Sequence, residues 1–281
     1  MNEVTRPVMR YHGGKWRLAP WIISHFPAHR IYVEPYGGAA SVLLRKPRSY
    51  AEVYNDLDGE IVNLFRVLRN PAQARELVQL VKLTPYAREE FDLSYITADD
   101  PVEQARRTLV RSAMGHGTRT TTANKTGFRA YTGNDRGAIP AIDWTNVPQA
   151  LELIVGRLAG VVVENKPAHD LIVQQDGTET LFYIDPPYPA DTRNNYGSYR
   201  HEMTDDDHRQ MAAALHALRG MAIVSGYPCL LYDDELFADW HRVERAARGD
   251  GAVERTEVLW ISPSTWLALR EDTSHLPLFA D

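Results

Sequence analysis

The residues best suited to chemistry lie together after one apolar stretch of the chain. Residues 181–184 are strand-forming, and Asp185, Pro186, Pro187 and Tyr188 follow them directly. Because proline cannot donate to a sheet ladder, the strand is expected to end here, and open α/β sheets bind ligands just beyond the carboxyl ends of their strands. The Asp185 carboxylate and the Pro186 carbonyl are two acceptors that match the two hydrogens of an exocyclic amino group, while the Tyr188 ring offers a face on which a base can stack. A pattern this short also occurs in an ordinary strand that ends in a Pro-Pro turn with a surface tyrosine.

A second candidate segment lies near the start of the chain. Gly13 and Gly14 allow a turn and a close approach of the backbone to a ligand, and Lys15 follows them. Apolar residues at helical spacing over 16–22 predict a helix with Lys15 in its first turn, where it can reach an anion. The glycine spacing of a Walker motif is absent. The alternative is a glycine turn before an amphipathic helix.

The next segments predict two strands, each followed by a turn and a helix. Residues 31–34 form the first strand and residues 49–54 the second. Asp56 follows the second strand, where a carboxylate can accept hydrogen bonds from both hydroxyls of a ribose. Asp58 is instead expected to cap the helix over residues 59–68.

The order of elements predicts an α/β fold with an insertion. Alternation of strand and helix stops after residue 70, and only helices over 72–82 and 102–114 are predicted before residue 160. The alternation then resumes with strands over 161–164, 181–185 and 221–225, a helix over 205–218 capped by Thr204, and closing antiparallel strands around Val243 and over 253–261. We therefore expect one sheet built from residues 1–70 and 160–281, interrupted by a mainly helical or irregular insertion of residues 71–159.

Charge is distributed unevenly along the chain. The formal net charge is −6, which does not by itself indicate a nucleic-acid-binding protein. Seven basic residues between 106 and 136 are accompanied by one acid, Asp135: Arg106, Arg107, Arg111, Arg119, Lys125, Arg129 and Arg136. Such a run is typical either of a solvated surface loop or of a local face that binds nucleic acid.

Two further features limit the function. Cys229 is the only cysteine, so the sequence contains no disulfide framework and no cysteine-based zinc site, and no metal site is expected. No signal-peptide pattern and no bilayer-length apolar run are present, so we expect a cytoplasmic protein without membrane contact. The polar loop of residues 191–203, which contains Tyr196 and Tyr199, directly follows Tyr188 and can cover whatever binds there.

Four of these segments, taken in order, resemble one known family. They are Arg-Tyr-His-Gly-Gly-Lys, Glu-Pro-Tyr-Gly-Gly-Ala-Ala-Ser, Tyr-Asn-Asp and, after a basic insertion, Asp-Pro-Pro-Tyr. The combination resembles the DNA adenine-N6 methyltransferases of the Dam type, in the alpha order of motifs. The likeness covers both halves of the α/β domain, whereas the insertion is similar in position and character only.

The resemblance implies a Rossmann-like sheet that binds S-adenosylmethionine as methyl donor. It implies that the donor contacts are Tyr11, Lys15, Glu34, Tyr36, Gly38, Asp56 and Asp185, and that Asp185, Pro186, Pro187 and Tyr188 carry catalysis. The chain departs from the family pattern at three places. Tyr11 stands where the family often has tryptophan, Ala40 replaces the last glycine of the turn, and Pro167-Ala168, with Asp170 nearby, replaces an acid that can hold the adenine of the donor.

The expected activity is site-specific transfer of a methyl group to N6 of an adenine extruded from double-stranded DNA. The residues expected to contact DNA are Arg107, Arg111, Arg119, Lys125, Arg129, Arg136, Tyr196 and Tyr199. The protein is expected to be a monomer, with a cognate restriction endonuclease as a candidate partner. Three alternatives stay open: cytosine-N4 methylation, where relatives usually have serine in place of Asp185; methylation of RNA or of a protein amide, where asparagine is usual; and a SAM- or DNA-binding protein without catalysis.

Overall fold

A computed structural model of the 281-residue chain describes residues 3–117, 125–132, 139–193, 199–248 and 254–274. Within these residues the chain forms seven strands: β1 (Ile31–Glu34), β2 (Ala51–Asn55), β3 (Val161–Glu164), β4 (Thr180–Ile184), β5 (Met221–Gly226), β6 (His241–Arg248) and β7 (Glu254–Ile261). The helices of the α/β part are α1 (Ala19–Ile23), α2 (Ser41–Arg45), α3 (Gly59–Arg69), α9 (Ala168–Gln175), α10 (Asp205–His216) and α11 (Pro263–Ser274). Between α3 and β3 lie α4 (Pro71–Leu83), α5 (Arg88–Leu93), α6 (Pro101–Met114), α7 (Pro140–Thr145) and α8 (Val147–Leu158).

The seven strands form one mixed sheet in the order β3-β2-β1-β4-β5-β7-β6. Strands β1 to β5 are parallel, whereas β7 runs antiparallel to both β5 and β6. The chain moves outward from β1 to β3 and then returns to the other side of β1 with β4. This reversal of strand order opens a crevice at the carboxyl ends of β1 and β4, where α/β sheets of this kind bind ligands.

Both faces of the sheet are covered, because its central strands are apolar on both sides. Alternate residues of β4 belong to different cores: Leu181 and Tyr183 pack with α2, α3 and the insertion, whereas Phe182 and Ile184 pack with α9 and α10. The predicted Rossmann-like α/β sheet is therefore confirmed.

The insertion is mainly helical where the structure describes it. Helix α4 packs against α6 and α8, all three pack against α3, and they share one hydrophobic core with the sheet. The predicted helices over 72–82 and 102–114 correspond to α4 and α6. The division into a domain of residues 1–70 and 160–281 and an insertion of residues 71–159 stays a prediction, since the shared core does not mark a boundary.

Local capping signals also agree with the sequence. The Asp58 side chain accepts a hydrogen bond from the Glu60 amide and caps α3, and Thr204 forms a reciprocal capping box with Asp207 at the start of α10. One prediction is wrong: the first helix begins at Ala19, so Lys15 lies in the preceding turn and not in the first turn of α1. Within the described residues, no helix is both long and apolar enough to cross a membrane.

Candidate functional site

A cavity of about 300 Å³ lies at the carboxyl ends of β1, β2 and β4. It brings together seven of the predicted donor-binding residues and two of the predicted base-binding ones. The donor-binding residues are Tyr11, Lys15, Glu34, Tyr36, Gly38, Asp56 and Asp185, and the others are Pro187 and Tyr199. The switch in strand order therefore unites segments that are up to about 190 residues apart in the sequence.

Asp185 projects from the end of β4 into this cavity. Its Oδ1 atom lies 2.9 Å from the Lys15 ammonium nitrogen and accepts a hydrogen bond of 2.9 Å from the Ser225 hydroxyl. Pro186 is buried and Pro187 lines the cavity. Among the described residues, no backbone N–H donates to the Pro186 carbonyl. The Asp185 carboxylate expected from the sequence thus lies at the cavity, whereas Pro186 is not among the residues that line it, and its role as second acceptor stays a prediction.

Lys15 connects Asp185 to a second carboxylate that the sequence did not indicate. The Lys15 Nζ atom donates to the Gly13 carbonyl at 2.8 Å and lies 3.7 Å from Oε1 of Glu257 on β7. Burial by itself would lower the pKa of Lys15, but the carboxylates of Asp185 and Glu257 outweigh it and raise that pKa above its ordinary value. Lys15 therefore stays charged and holds the two acids together.

Tyr188 is enclosed instead of presenting an open face. The side chain is buried, its hydroxyl donates to Glu257, and the Lys15 ammonium lies 4.8 Å from the ring centroid. The edge of Tyr227 packs against the same ring, with centroids 4.8 Å apart. Burial raises the pKa of Glu257, although Lys15 and the Tyr188 hydroxyl act in the opposite direction. The alternative of a surface tyrosine does not hold, because β7 supplies an acid that binds its hydroxyl, and the stacking of a base on this ring stays a prediction.

Glu34 lies at the end of β1, between the two halves of the cavity. Its Oε1 atom accepts hydrogen bonds from the Tyr32 hydroxyl at 2.6 Å and from the Leu43 amide at 2.8 Å. Burial raises the pKa of Glu34 to about 7, against the effect of these two hydrogen bonds. The residue is therefore an internal carboxyl group that fixes the start of α2 next to the cavity.

Asp56, at the end of β2, is held by the backbone. Its two oxygens accept hydrogen bonds of 2.8 Å from the amides of Gly38 and Asp58. Burial raises the pKa of Asp56 to about 6, although both hydrogen bonds oppose the shift. Each oxygen keeps a second lone pair with which it can accept a hydrogen bond from a ligand.

The turn after β1 requires glycine at Gly38 for two reasons. Its φ is +47°, and a Cβ there would lie 2.7 Å from the Tyr11 ring. Ala40, which replaces the last glycine of the family pattern, also has a left-handed conformation with φ of +52°. The turn is retained with alanine, at the expense of strain of about 1–2 kcal/mol.

The far end of the cavity is lined by the start of α9. Lys166, Pro167, Ala168 and His169 contribute to the lining, whereas Asp170 does not. The acid that the resemblance implies for this position therefore has no counterpart there among the lining residues.

The segment Tyr199–Met203 crosses the cavity on its solvent side. Tyr199 packs edge-on against His12, with ring centroids 5.1 Å apart. Arg200 reaches across to α3, where it pairs with Asp58 at 2.9 Å and with Glu60 at 2.8 Å. The polar loop that was predicted to cover the site is thus joined to the N-terminus of α3 by these ion pairs. Tyr196, which belongs to the same loop, lies outside the described residues.

The basic residues of the insertion are more internal than the sequence suggested. Arg106 is buried and pairs with Glu90 and Glu103, and Arg107 pairs with Glu103. Arg111 is buried beside Glu60, and burial lowers its pKa to about 10. The interpretation of this helical part as an open basic face is wrong.

Of the remaining basic residues of the insertion, the structure describes two, Lys125 and Arg129. Lys125 is exposed and lies 2.7 Å from the Asp92 carboxylate. Arg129 donates to the Ala113 carbonyl at 3.1 Å. Arg119 and Arg136 lie outside the described residues. DNA contact by any residue of the insertion stays a prediction.

Sequence reasoning missed several side chains of the site, among them Glu257, Ser41 and Ser225, the last of which donates to Asp185. Glu257 lies in an antiparallel strand without a local motif, so only its position beside Tyr188 identifies it. Ser41, the first residue of α2, lines the cavity with a buried hydroxyl that has no hydrogen-bond partner in the structure. An unsatisfied buried hydroxyl costs about 1–3 kcal/mol, so the Ser41 hydroxyl is available to a ligand in the cavity.

Comparison with known proteins identifies the family. No curated protein matches the chain. Among solved structures, "Putative methyltransferase yhhF from Escherichia coli" is 9% identical over 88% of this chain and 83% of its own, with a TM-score of 0.33. The family model of the D12 class N6 adenine-specific DNA methyltransferases matches residues 11–246, a range that contains Tyr11, Lys15, Asp56 and Asp185. The chain belongs to the D12 class N6 adenine-specific DNA methyltransferase family.

Proposed function

We propose that this protein transfers a methyl group from S-adenosylmethionine to N6 of an adenine extruded from double-stranded DNA, at a specific site. The observation that carries the proposal is the shared cavity: the Asp185 carboxylate and the Asp56 carboxylate face one space of about 300 Å³. One end matches an exocyclic amine, and the other matches a ribose.

The residues at the Asp56 end fit the methyl donor. Asp56 has lone pairs for ribose hydroxyls, Ser41 has an unpartnered hydroxyl, and the missing side chain of Gly38 lets the Tyr11 ring lie against the turn. S-adenosylmethionine supplies a methyl group on a positively charged sulfur, and this methyl bonds to the amino nitrogen as the sulfur–carbon bond breaks and the nitrogen loses one proton. Together with Tyr11 and Tyr36, these residues would hold the donor through hydrogen bonds and packing.

The residues at the Asp185 end supply the chemistry of the amine. Two acceptors on the amino hydrogens draw its lone pair out of the aromatic ring and stabilise the positive charge that develops on nitrogen. Asp185 provides one acceptor and the Pro186 carbonyl the other. Lys15 and Ser225 hold the Asp185 carboxylate in place, so the acceptor is positioned before the substrate arrives.

An adenine inside a duplex can reach these acceptors only when it leaves the stack, which costs a few kcal/mol. Stacking on an aromatic ring returns about 1–3 kcal/mol. Tyr199 lines the cavity, whereas the Tyr188 ring is covered by Lys15 and Tyr227. Stacking of the base on Tyr188 therefore requires Tyr227 to move, and Tyr199 can contact the base without such a change.

The test is to incubate the protein with labelled S-adenosylmethionine and duplex DNA and to digest the product to nucleosides. We expect label in N6-methyladenine alone. Label in N4-methylcytosine, or transfer to RNA only, would contradict the proposal. Binding of the donor without any transfer would instead indicate a protein without catalysis. The Asp185→Ala variant, checked for folding by circular dichroism, is the control for contaminating activity.

A further inference from the structure

The hairpin of β6 and β7 presents basic side chains next to the Asp185 end of the cavity. Arg245 on β6 is directly opposite Glu257 on β7, and residues paired in this way point to the same face of a sheet. Arg255 precedes Glu257 by two residues and shares that face as well. Because Glu257 binds Tyr188 and lies beside Lys15, both arginines lie on the face of the hairpin that carries the site.

A chain of aromatic contacts links Arg255 to the site. Its guanidinium carbon lies 5.6 Å from the centroid of the Tyr227 ring, a cation–π distance. The Tyr227 ring in turn packs edge-on against Tyr188, with centroids 4.8 Å apart. One ring, that of Tyr227, therefore separates Arg255 from Tyr188 of the Asp-Pro-Pro-Tyr segment.

The charges of the two arginines are not neutralised within the part of the chain that the structure describes. There, no ion pair joins Arg245 or Arg255 to an acidic side chain, and Arg245 is exposed. The buried Glu257 is engaged by Lys15 and Tyr188 instead. Arg242, on the opposite face of β6, differs: it pairs with Asp233 at 2.9 Å and with Glu244 at 2.8 Å.

We propose that Arg245 and Arg255 bind DNA phosphates next to the extruded base, so that the hairpin is a second DNA-contacting element besides the insertion. The inference rests on the proposed function and adds a contact that the sequence analysis did not assign. Two unpaired guanidinium groups beside the site provide a local positive surface on a protein whose net charge is −6. Arginine is well suited to phosphate, since its planar group donates two parallel hydrogen bonds.

The test measures the affinity of the full-length protein for a duplex oligonucleotide at several salt concentrations. Each phosphate contact contributes about 0.9 to the slope of log K against log[salt]. We expect the Arg245→Ala/Arg255→Ala variant to lower that slope by about 1.8. When salt rises from 50 to 200 mM, the affinity of the wild type should therefore fall by a factor that is about 12 times the factor for this variant. Affinity for S-adenosylmethionine and the melting temperature should not change.

Two matched variants separate charge from structure. Arg242→Ala removes one positive charge from the same strand but from the other face, and it should leave the slope at the wild-type value. The Arg245→Lys/Arg255→Lys variant keeps the charges and should keep most of the slope. The single variant Arg245→Ala, at an exposed position, guards against misfolding of the double variant and should lower the slope by about 0.9.

The outcomes distinguish this inference from the proposed function. A wild-type slope in Arg245→Ala and in the double alanine variant would overturn the hairpin contact and leave the proposed function intact. An equal loss in Arg242→Ala would also overturn it, because the effect would then be one of net charge. A wild-type protein that binds no duplex DNA would overturn the proposed function, and the inference with it.

Discussion

Strands β2 and β4 lie on either side of β1, and each ends in an aspartate that faces the same cavity, but the two carboxylates are held differently. Asp185 after β4 is bound by side chains, the Lys15 ammonium and the Ser225 hydroxyl, both at 2.9 Å. Asp56 after β2 is bound by the backbone amides of Gly38 and Asp58, both at 2.8 Å.

The two kinds of hydrogen-bond partner give the two ends of the cavity different freedom to move. Side chains can adjust when a base enters, so Lys15 can keep one contact with Asp185 while the carboxylate accepts a new hydrogen. Backbone amides belong to the turn and to the start of α3, so Asp56 presents a rigid acceptor. The amides do not outweigh burial, and the pKa of Asp56 is therefore raised to about 6. In the proposed function, the adjustable end serves catalysis and the rigid end serves donor binding.

The largest expected effect is a loss of kcat in a variant that changes only the adjustable end, at Asp185. Asp185→Ala removes an acceptor for the amine and should lower kcat by about 10²- to 10³-fold, as found when one preorganised electrostatic group is deleted. Donor affinity should fall by only about tenfold, since loss of one hydrogen bond to a charged group costs about 1.5 kcal/mol at the low end of its range. Single-turnover rates and calorimetry measure the two quantities. A loss of donor binding as large as the loss of rate would remove the distinction between the two ends.

The next effect concerns Glu34, which lies at the end of β1 between the two aspartates. Its pKa is raised to about 7 in the folded protein, so its contribution to stability is complete below the unfolded value of about 4.3 and is lost as pH rises through 7. The glutamine side chain of the Glu34→Gln variant can accept both existing hydrogen bonds through its carbonyl oxygen and does not titrate. Relative to Glu34→Gln, the wild type should lose up to about 3 kcal/mol of unfolding free energy between pH 4.5 and 7.5.

Denaturant unfolding at both pH values checks this prediction. If the unfolding free energies of the wild type and Glu34→Gln differed by the same amount at both pH values, the result would show that Glu34 does not titrate between them. The control is Glu164→Gln, which replaces a partly exposed acid at the end of β3 that pairs with Lys166.

The rigid end is tested by Asp56→Ala. Loss of two hydrogen bonds to ribose hydroxyls should weaken donor binding by about 10- to 100-fold, while kcat at saturating donor changes by less than about threefold. In the wild type, donor affinity should rise as pH increases through about 6, because the ionised carboxylate accepts more hydrogen bonds than the protonated one. Titration calorimetry at pH 5 and 7.5 measures both effects. An affinity that does not depend on pH would argue against Asp56 as the ribose acceptor.

The smallest effect is expected at the turn that joins the two ends. Ala40→Gly removes left-handed strain, which stabilises the folded protein. It also removes a buried methyl group and makes the unfolded chain more flexible, and both of these changes destabilise the folded protein. Each contribution is about 1 kcal/mol, so the strain relief opposes the other two. The unfolding free energy should change by less than about 1 kcal/mol. Donor affinity and kcat should stay at wild-type values. A larger change in either would show that the alanine is required at this turn.

Local signals in the sequence were sufficient for much of the site. Two prolines after an apolar run end β4 at Ile184 and leave Asp185 at the strand end, because proline cannot continue a ladder. The cap at Asp58 was also predictable, since capping depends on residues within one turn. Boundaries were less exact: the first helix starts four residues after Lys15.

Partners that lie far apart in the sequence could not be predicted. Arg106 pairs with Glu90 of α5 and Arg111 lies beside Glu60 of α3, two acids from other helices. Glu103, by contrast, lies within one helical turn of Arg106 and was left out only because the basic run was counted from Arg106 onward. Glu257 binds a tyrosine 69 positions away. No periodicity in either segment indicates the other.

The sequence by itself determined the order of strands and helices, the carboxylates at the strand ends, the turns of glycine and proline, and the family. These depend on backbone preferences and on patterns within a few residues. Only the tertiary structure decided that Tyr188 is enclosed by Glu257, that the arginines of α6 are internal and that Arg245 and Arg255 face the site. Burial and ion pairing depend on which segments meet in space, and here the crossing of the chain between β1 and β4 and the pairing of β6 with β7 bring those segments together.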